Sequence, residues 1–202
     1  KAAITSLDHL RDLYTPGVAR VCRAIEADPA KVYEYTNLRN TVAIVTNGTA
    51  ILGLGAIGVH PGLPVMEGKA ALMAQLAGLS GVPILIESTD SKKIIDTVVA
   101  IAPSFGAIQI EDIRAPECFE IEAALREQLS IPVMHDDQHG TAVVVLAALL
   151  SAARMSGIDL SQAVVGQIGL GAAGLGICDL LLKFGVKKLF GTDLDNQAIK
   201  RL

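Results

Sequence analysis

Aromatic residues are scarce in this chain of 202 residues, at 3%, although 51% of its residues are hydrophobic. Any core must therefore be aliphatic, of a size that suits one large or two small soluble domains. Cysteine is equally sparse. Cys22, Cys118 and Cys178 lie far apart and form no CxxC motif, which points to a reduced, cytoplasmic compartment. There is no basic excess: the net charge is −4 and no run of Lys and Arg is longer than two residues, which argues against an electrostatic nucleic-acid footprint. No apolar run is long enough for a bilayer, which needs ~20 residues. The longest, Ala142 to Ala153, is closed by Arg154 and reads as a buried helix, so no membrane partner is expected. Internal repeats, low-complexity segments and a signal peptide are all missing from view. Because the first residue is Lys1 and not Met, a segment upstream is expected.

Two acidic pairs stand out among what is present. Glu111-Asp112 follows Ala107-Ile108-Gln109-Ile110, and Asp136-Asp137 follows Ile131-Pro132-Val133-Met134. Both apolar runs read as buried strands, and the carboxyl ends of neighbouring strands are where α/β sheets bind ligands. Two like charges ~4 Å apart repel by about 1 kcal/mol in water and about 4 kcal/mol at an effective dielectric of 20. A divalent cation reverses that sign. The pairs are expected to gather around a metal; capping of the helices that follow is the plainer alternative.

Strand and helix patterns alternate from Pro83 onward. Strands are expected at Ile84–Ile86, Ala107–Ile110, Ile131–Met134, Ala163–Ile168 and Lys188–Gly191, and helices at about 65–80, 91–102, 117–129, 140–156 and 173–184. Pro116 suits the start of the helix over 117–129. Short helices are expected at 17–28 and 30–36. Val42 to Leu54 reads as a β-hairpin turning at Asn47-Gly48. Such alternation argues for a parallel α/β architecture, with a domain boundary near residue 138. The expected domains are 1–138, carrying the acidic pairs, and 139–202, carrying the last βαβ unit.

The spacing GxGxxG occurs twice. Gly169-Leu170-Gly171-Ala172-Ala173-Gly174 follows a strand and opens a helix, and Asp193 ends the next strand 24 residues after Gly169. That context fits a dinucleotide site, with the pyrophosphate at a helix N-terminus and Asp193 on the ribose 2′-OH. The acid favours NAD over NADP because it would repel a 2′-phosphate. The other copy, Gly53 to Gly58, runs into Val59-His60-Pro61-Gly62-Leu63-Pro64, which is not expected to start a helix at once; it reads as a structural turn near the active site.

Lys69 lies in an otherwise apolar helical stretch whose one other charged residue is Glu67. It is read either as a base with a lowered pKa or as a lysine reaching to water from a helix edge. Gly62 to Ala70 fails as a P-loop, with one residue too many before Gly68-Lys69 and Ala70 in place of Ser/Thr. His135 and His139 have the spacing of HExxH, but Asp stands where Glu is needed, and they read as ordinary polar residues. Tyr14, beside Thr15-Pro16-Gly17, reads as packing or surface when taken alone.

Together these blocks resemble the malic enzyme family along nearly the whole chain, in its compact prokaryotic form. The matching stretches are Tyr14 to Val18, Asn47 to Gly55, Pro64 to Lys69, Glu111 to Glu120, and His135 to Ala142. The resemblance implies a malic-type α/β domain and the start of a Rossmann domain. It implies NAD-dependent, Mn²⁺- or Mg²⁺-dependent oxidative decarboxylation of L-malate in a cytoplasmic homodimer or higher homo-oligomer. Tyr14 is then the catalytic acid, Lys69 the base, and Asp136 the carboxylate that orients Lys69. Glu111, Asp112 and Asp137 are the metal ligands. Thr141, Gly169, Gly171, Ala172, Ala173, Gly174 and Asp193 face the cofactor. Asn47 stands where relatives often have Asp, and Ala50 where the larger eukaryotic-type enzymes carry a substrate-binding arginine. The family's later asparagines lie outside the chain, which is expected to be a fragment. Malolactic chemistry on the same scaffold, another hydride-transferring α/β enzyme and a non-catalytic NAD- and metabolite-binding module are the rival readings.

Overall fold

The structure is a computed structural model and describes residues 3–202. Three helices come first: α1 (Leu7–Leu13), α2 (Val18–Ala27) and the single turn α3 (Val32–Tyr35). Ser6 caps α1 by accepting the His9 N–H, and Pro29 starts the short turn between α2 and α3. Among the described residues before Val42, none is buried.

A four-stranded, all-parallel sheet follows, in the order β2-β1-β3-β4: β1 (Thr41–Thr46), β2 (Ser80–Leu85), β3 (Ala107–Ile110) and β4 (Val133–His135). It is covered by α4 (Val59–Ala77), α5 (Ser91–Ile101) and α6 (Glu117–Gln128). The apolar alternation of β1 and β3 sends Ala43, Val45, Ile108 and Ile110 into one core with Ile94, Val98, Ile121 and Leu125 of α5 and α6. Ile44 points the other way, beside Ala70 of α4, where a side chain on Gly81 would collide with both. Burial on both faces is what allows a parallel sheet to read as continuous apolar runs.

The second unit comprises α7 (Asp136–Ser156), β5 (Val164–Ile168), α8 (Ala172–Phe184), β6 (Lys188–Thr192) and the single turn α9 (Asn196–Ile199). β5 and β6 pair in parallel around the crossover α8. A second core joins Ala142, Leu160, Ile177, Leu181 and Val186.

Four expectations need correction. No hairpin spans Val42–Leu54. β1 is flanked on both sides by β2 and β3, which leaves no edge for a returning strand. Asn47 closes a local turn instead: its Oδ1 accepts the Thr49 N–H and hydroxyl, while its Nδ2 donates to the Ser88 carbonyl. The segment from Gly53 to Gly58 does lead straight into a helix, since α4 begins at Val59. Pro61 falls in the first helical turn, where its missing N–H has no intrahelical role. Nor does α7 begin near 140; it starts at Asp136, directly from β4. Finally, α7 is not a buried helix. At 21 residues it is long and apolar enough to cross a membrane, and only 6% of its most apolar window is buried. Its inner side packs on α8 while Val143 and Val144 stay exposed.

Candidate active site

The register of the large sheet builds the site. Ile110 of β3 lies opposite His135 of β4, so Glu111 and Asp136, the residues that follow the two strands, emerge side by side at the carboxyl edge. Glu111 and Asp112 are buried, whereas Asp136 and Asp137 occupy the first turn of α7, where a helix N-terminus favours negative charge. One carboxylate oxygen from each of Glu111, Asp112 and Asp137 can be chosen so that all three lie within 4.8 Å of one another. Asp112 Oδ2 is buried and has no hydrogen-bond partner. An all-oxygen, multiply charged donor set with an unpartnered buried oxygen fits a hard divalent cation such as Mn²⁺ or Mg²⁺, and not zinc.

The backbone at Asp112 is itself unusual, with φ +53°, a left-handed conformation that Asp tolerates better than most residues. It is held from two directions. Its N–H donates to Asp137 Oδ2 at 2.8 Å, and its carbonyl accepts the Ala50 N–H from the loop after β1. That loop contains the first glycine motif, which is therefore a neighbour of the cluster.

Lys69 reaches the cluster from the middle of α4. Its Nζ lies 2.6 Å from Asp136 Oδ2 and 3.1 Å from Glu111 Oε1. Burial works against its charge and is the largest single influence, but Asp136 and Glu111 together outweigh it and hold the pKa above its ordinary value. The expectation of a lowered pKa is thus corrected for the metal-free protein: two carboxylates oppose deprotonation. Burial raises the carboxyl of Glu111 from its usual 4.5 to about 7, against the pull of the Gln109 hydrogen bond. Burial, and then Asp137, raises Asp112 from 3.8 to about 6. Glu111 and Asp112 are frustrated in the way that a bound cation would relieve.

Gln109, which sequence reading passed over, and His135, which it read as an ordinary polar residue, complete the arrangement. Buried Gln109, two residues before Glu111 on the same face of β3, donates its Nε2 to Glu111 Oε2. His135, fully buried, sets its Nε2 2.9 Å from Asp137 Oδ2. Gly140 leaves room for Asp136: a Cβ there would stand 2.4 Å from Asp136 Oδ1 and would displace that carboxylate. A polar residue inside the apolar run Ala107–Ile110 was the one local signal for Gln109.

The second unit presents a glycine loop. Gly171 precedes the first residue of α8, and Ala172 and Ala173 form its first turn. A Cβ on Gly174 would lie 1.9 Å from the Gly169 carbonyl, so only glycine lets the loop fold against the helix start. Asp193 leaves β6 and grips the same loop, its Oδ2 accepting the Leu170 N–H at 2.6 Å and its Oδ1 the Asp195 N–H. Those backbone donors, Asp195 first, hold its pKa below the usual value. Thr141 lies half-buried in the second turn of α7. Tyr14 is not brought to the cluster: it follows α1, is 67% exposed, and its side chain hydrogen-bonds none of the site residues.

The chain matches two family models, malic enzyme N-terminal domain over residues 5–126 and malic enzyme NAD binding domain over 138–202. It is 59% identical over 202 residues to NAD-dependent malic enzyme 1 of Bacillus subtilis, covering 100% of this chain and 46% of the relative. A second B. subtilis protein, the bifunctional malic/malolactic enzyme, is 47% identical over 193 residues, covering 96% of this chain and 47% of the relative. The crystal structure of malic enzyme from Pyrococcus horikoshii superposes with a TM-score of 0.93 at 48% identity, over 97% of this chain and 46% of that one. The chain thus spans about half the length of the relatives it matches. With both family models in chain order and the cluster of acids at the sheet edge, the chain belongs to the malic enzyme family.

Proposed function

We propose that the protein carrying this chain converts L-malate to pyruvate and CO₂ with reduction of NAD⁺, in a reaction that requires Mn²⁺ or Mg²⁺. The observation that supports it best is the convergence of Glu111, Asp112 and Asp137 within 4.8 Å beside an ion-paired lysine. Residues 1–138 form the malate- and metal-binding domain in this reading, and 139–202 begin the NAD-binding domain. When bound, the cation supplies Lewis acidity to malate oxygens and NAD⁺ takes up the hydride. Glu111, Asp112 and Asp137 would hold the cation, and with it place malate against Lys69. Glu111 and Asp136 hold Lys69 protonated in the metal-free site, and a cation held there would offset the charge of Glu111. Lys69 then accepts the proton of the C2 hydroxyl, and Asp136 keeps its Nζ aimed at that atom. Tyr14 delivers a proton to C3 after CO₂ departs. Because Tyr14 is exposed here, this step requires the N-terminal helices to be seated against a site. Gly169, Gly171, Ala172, Ala173 and Gly174 would receive the pyrophosphate of NAD at the start of α8, with Asp193 toward the ribose and Thr141 toward the cofactor.

A homo-oligomer in the cytoplasm completes the reading. Leu7, Leu10 and Leu13 of α1, with Ile4 before it and Tyr14 after it, are all exposed, an apolar surface that a second copy would cover. The likeness to a bifunctional relative favours one alternative, malolactic turnover, in which lactate accumulates without net NADH. The test is an assay of full-length protein with L-malate, with and without Mn²⁺, comparing NAD⁺ with NADP⁺ and measuring pyruvate and lactate. Mn²⁺-dependent NADH and pyruvate are expected. Lactate without net NADH would select the alternative, and no metal-dependent turnover with either cofactor would reject both.

A further inference from the structure

We infer that Glu122 is a positioning residue for the metal-binding carboxylates, acting through His135 and His139 to fix the turn that carries Asp136 and Asp137. The inference rests on the metal reading above. Glu122 belongs to α6, at a place in the apolar stripe that otherwise comprises Cys118, Ile121 and Leu125, all fully buried. It is itself only 6% exposed. A buried carboxylate is costly unless hydrogen bonds or a counter-charge satisfy it. Among the described residues no Lys or Arg pairs with it, so its partners must account for its presence there.

Those partners bracket the acidic pair. Glu122 Oε1 accepts the backbone N–H of His135 at 3.0 Å, at the corner where β4 becomes α7 without any intervening loop. His139, one helical turn further along, places its Nε2 2.9 Å from each of the two Glu122 oxygens. One carboxylate therefore grips both ends of the segment that displays Asp136 and Asp137. The buried ring of His135 carries the constraint onward, with Nε2 2.9 Å from Asp137 Oδ2, the same oxygen that accepts the Asp112 N–H. An ionised carboxylate only accepts, so both imidazoles present an N–H. The line Glu122–His135–Asp137–Asp112 joins a helix on the sheet's face to two of the three candidate ligands. Outer hydrogen-bond partners of this kind change metal affinity by about 10–100-fold when removed.

A role confined to packing α6 against α7 would affect folding stability alone, which separates the two by experiment. Full-length enzyme is titrated with Mn²⁺, and free Mn²⁺ is read by electron paramagnetic resonance. Glu122→Leu removes both acceptors and is expected to raise the Mn²⁺ Kd about tenfold. Glu122→Gln keeps an oxygen for the His135 N–H and should recover most of that loss. His139→Ala, at a half-exposed position, releases one end of the turn and should weaken Mn²⁺ about threefold; it carries the test if Glu122→Leu does not fold. Saturating Mn²⁺ should restore kcat in each folded variant. Native Mn²⁺ affinity in folded Glu122→Leu or in His139→Ala overturns the inference, as does Glu122→Gln binding no better than Glu122→Leu. Asp137→Asn serves as the control. If it too binds Mn²⁺ like the native enzyme, the metal reading itself fails; if it alone loses binding, only the role of Glu122 does.

Discussion

The two acidic pairs look alike in sequence and behave differently in the fold. Glu111-Asp112 ends a central strand, is buried, and bends through a left-handed backbone at Asp112. Asp136-Asp137 opens a helix at a sheet edge, partly exposed, with the helix N-terminus, Lys69 and His135 as partners. Burial drives the first pair toward protonation, while the second is surrounded by donors. The difference teaches that a carboxylate's role follows from what faces it: Asp136 is engaged by Lys69, which leaves Glu111, Asp112 and Asp137 to converge.

Breaking the contact between the pairs should have the largest effect. Among the described residues Lys69 is the one cation that bridges them, touching Glu111 and Asp136 together. Lys69→Ala is expected to lower kcat for malate oxidation by at least about 10³-fold, within the range for losing a general base. Mn²⁺ affinity should survive, because no ligand is removed. Steady-state kinetics beside a Mn²⁺ titration checks this; a variant retaining a tenth of native kcat would remove Lys69 from the chemistry.

The second pair can be split next. Asp137→Asn should weaken Mn²⁺ by about 10–100-fold. Asp136→Asn should leave Mn²⁺ within a fewfold and instead lower kcat, since it frees Lys69 Nζ from its 2.6 Å partner. Equal loss of Mn²⁺ in both variants would make the pair equivalent and undo the comparison.

Much of this was legible in the sequence. Apolar runs ending in acids located the carboxyl edge of the sheet, because strand burial and charge placement are both local patterns. The second glycine motif was readable because its strand, turn and helix are contiguous. The division of labour between Asp136 and Asp137 came from family resemblance, and no local pattern carries it. It depends on register between β3 and β4 and on a lysine 67 residues upstream of Asp136. The Asn47-Gly48 hairpin failed for the same reason: a strong local turn signal yielded to a strand whose both edges were already taken by β2 and β3. Glu122 was visible only as a charged residue on an apolar stripe, a mismatch whose meaning lies in the His135 and His139 it meets across the fold. The lowered pKa expected for Lys69 was wrong because the apolar helix was legible in local pattern and its two carboxylate partners were not; of these the family resemblance supplied Asp136 and left out Glu111.

The buried pair makes a stability prediction with a definite sign. Glu111 and Asp112 are held at about 7 and about 6, above the 4.5 and 3.8 that they have when free. Between roughly pH 4 and 7 the folded, metal-free protein binds more protons than the unfolded chain, so these groups lower stability as pH rises through that window. His135 acts in the same direction at higher pH. Burial opposes its charge, but Asp137 and then Cys118 raise its pKa from 6.5 to about 10, so its contribution is full below 6.5 and is lost as pH climbs from there toward 10. Thermal melting of metal-free protein from pH 5 to 8 should show the decline, Glu111→Gln should flatten it, and Mn²⁺ should raise Tm more at pH 8 than at pH 5. A Mn²⁺ shift independent of pH would mean that the buried acids do not meet the ion.

The smallest expected effect tests how the first pair is aimed. Gln109 Nε2 donates to Glu111 Oε2, while Oε1 of the same carboxylate faces Lys69. The amide thereby leaves one Glu111 oxygen turned toward the lysine and the acids, and it favours the ionised form against burial. Gln109→Leu keeps the volume of a buried strand position but removes that donor. Glu111 should then hold its proton to higher pH, so that Mn²⁺ binds about threefold more weakly at pH 7, with the gap closing at pH 8.5 where the carboxyl ionises regardless. Gln109→Glu, which adds a charge beside Glu111, should be worse than Gln109→Leu. A Gln109→Leu deficit of the same size at both pH values would show that the amide merely fills space on β3, and that Glu111 takes its orientation from Lys69 alone.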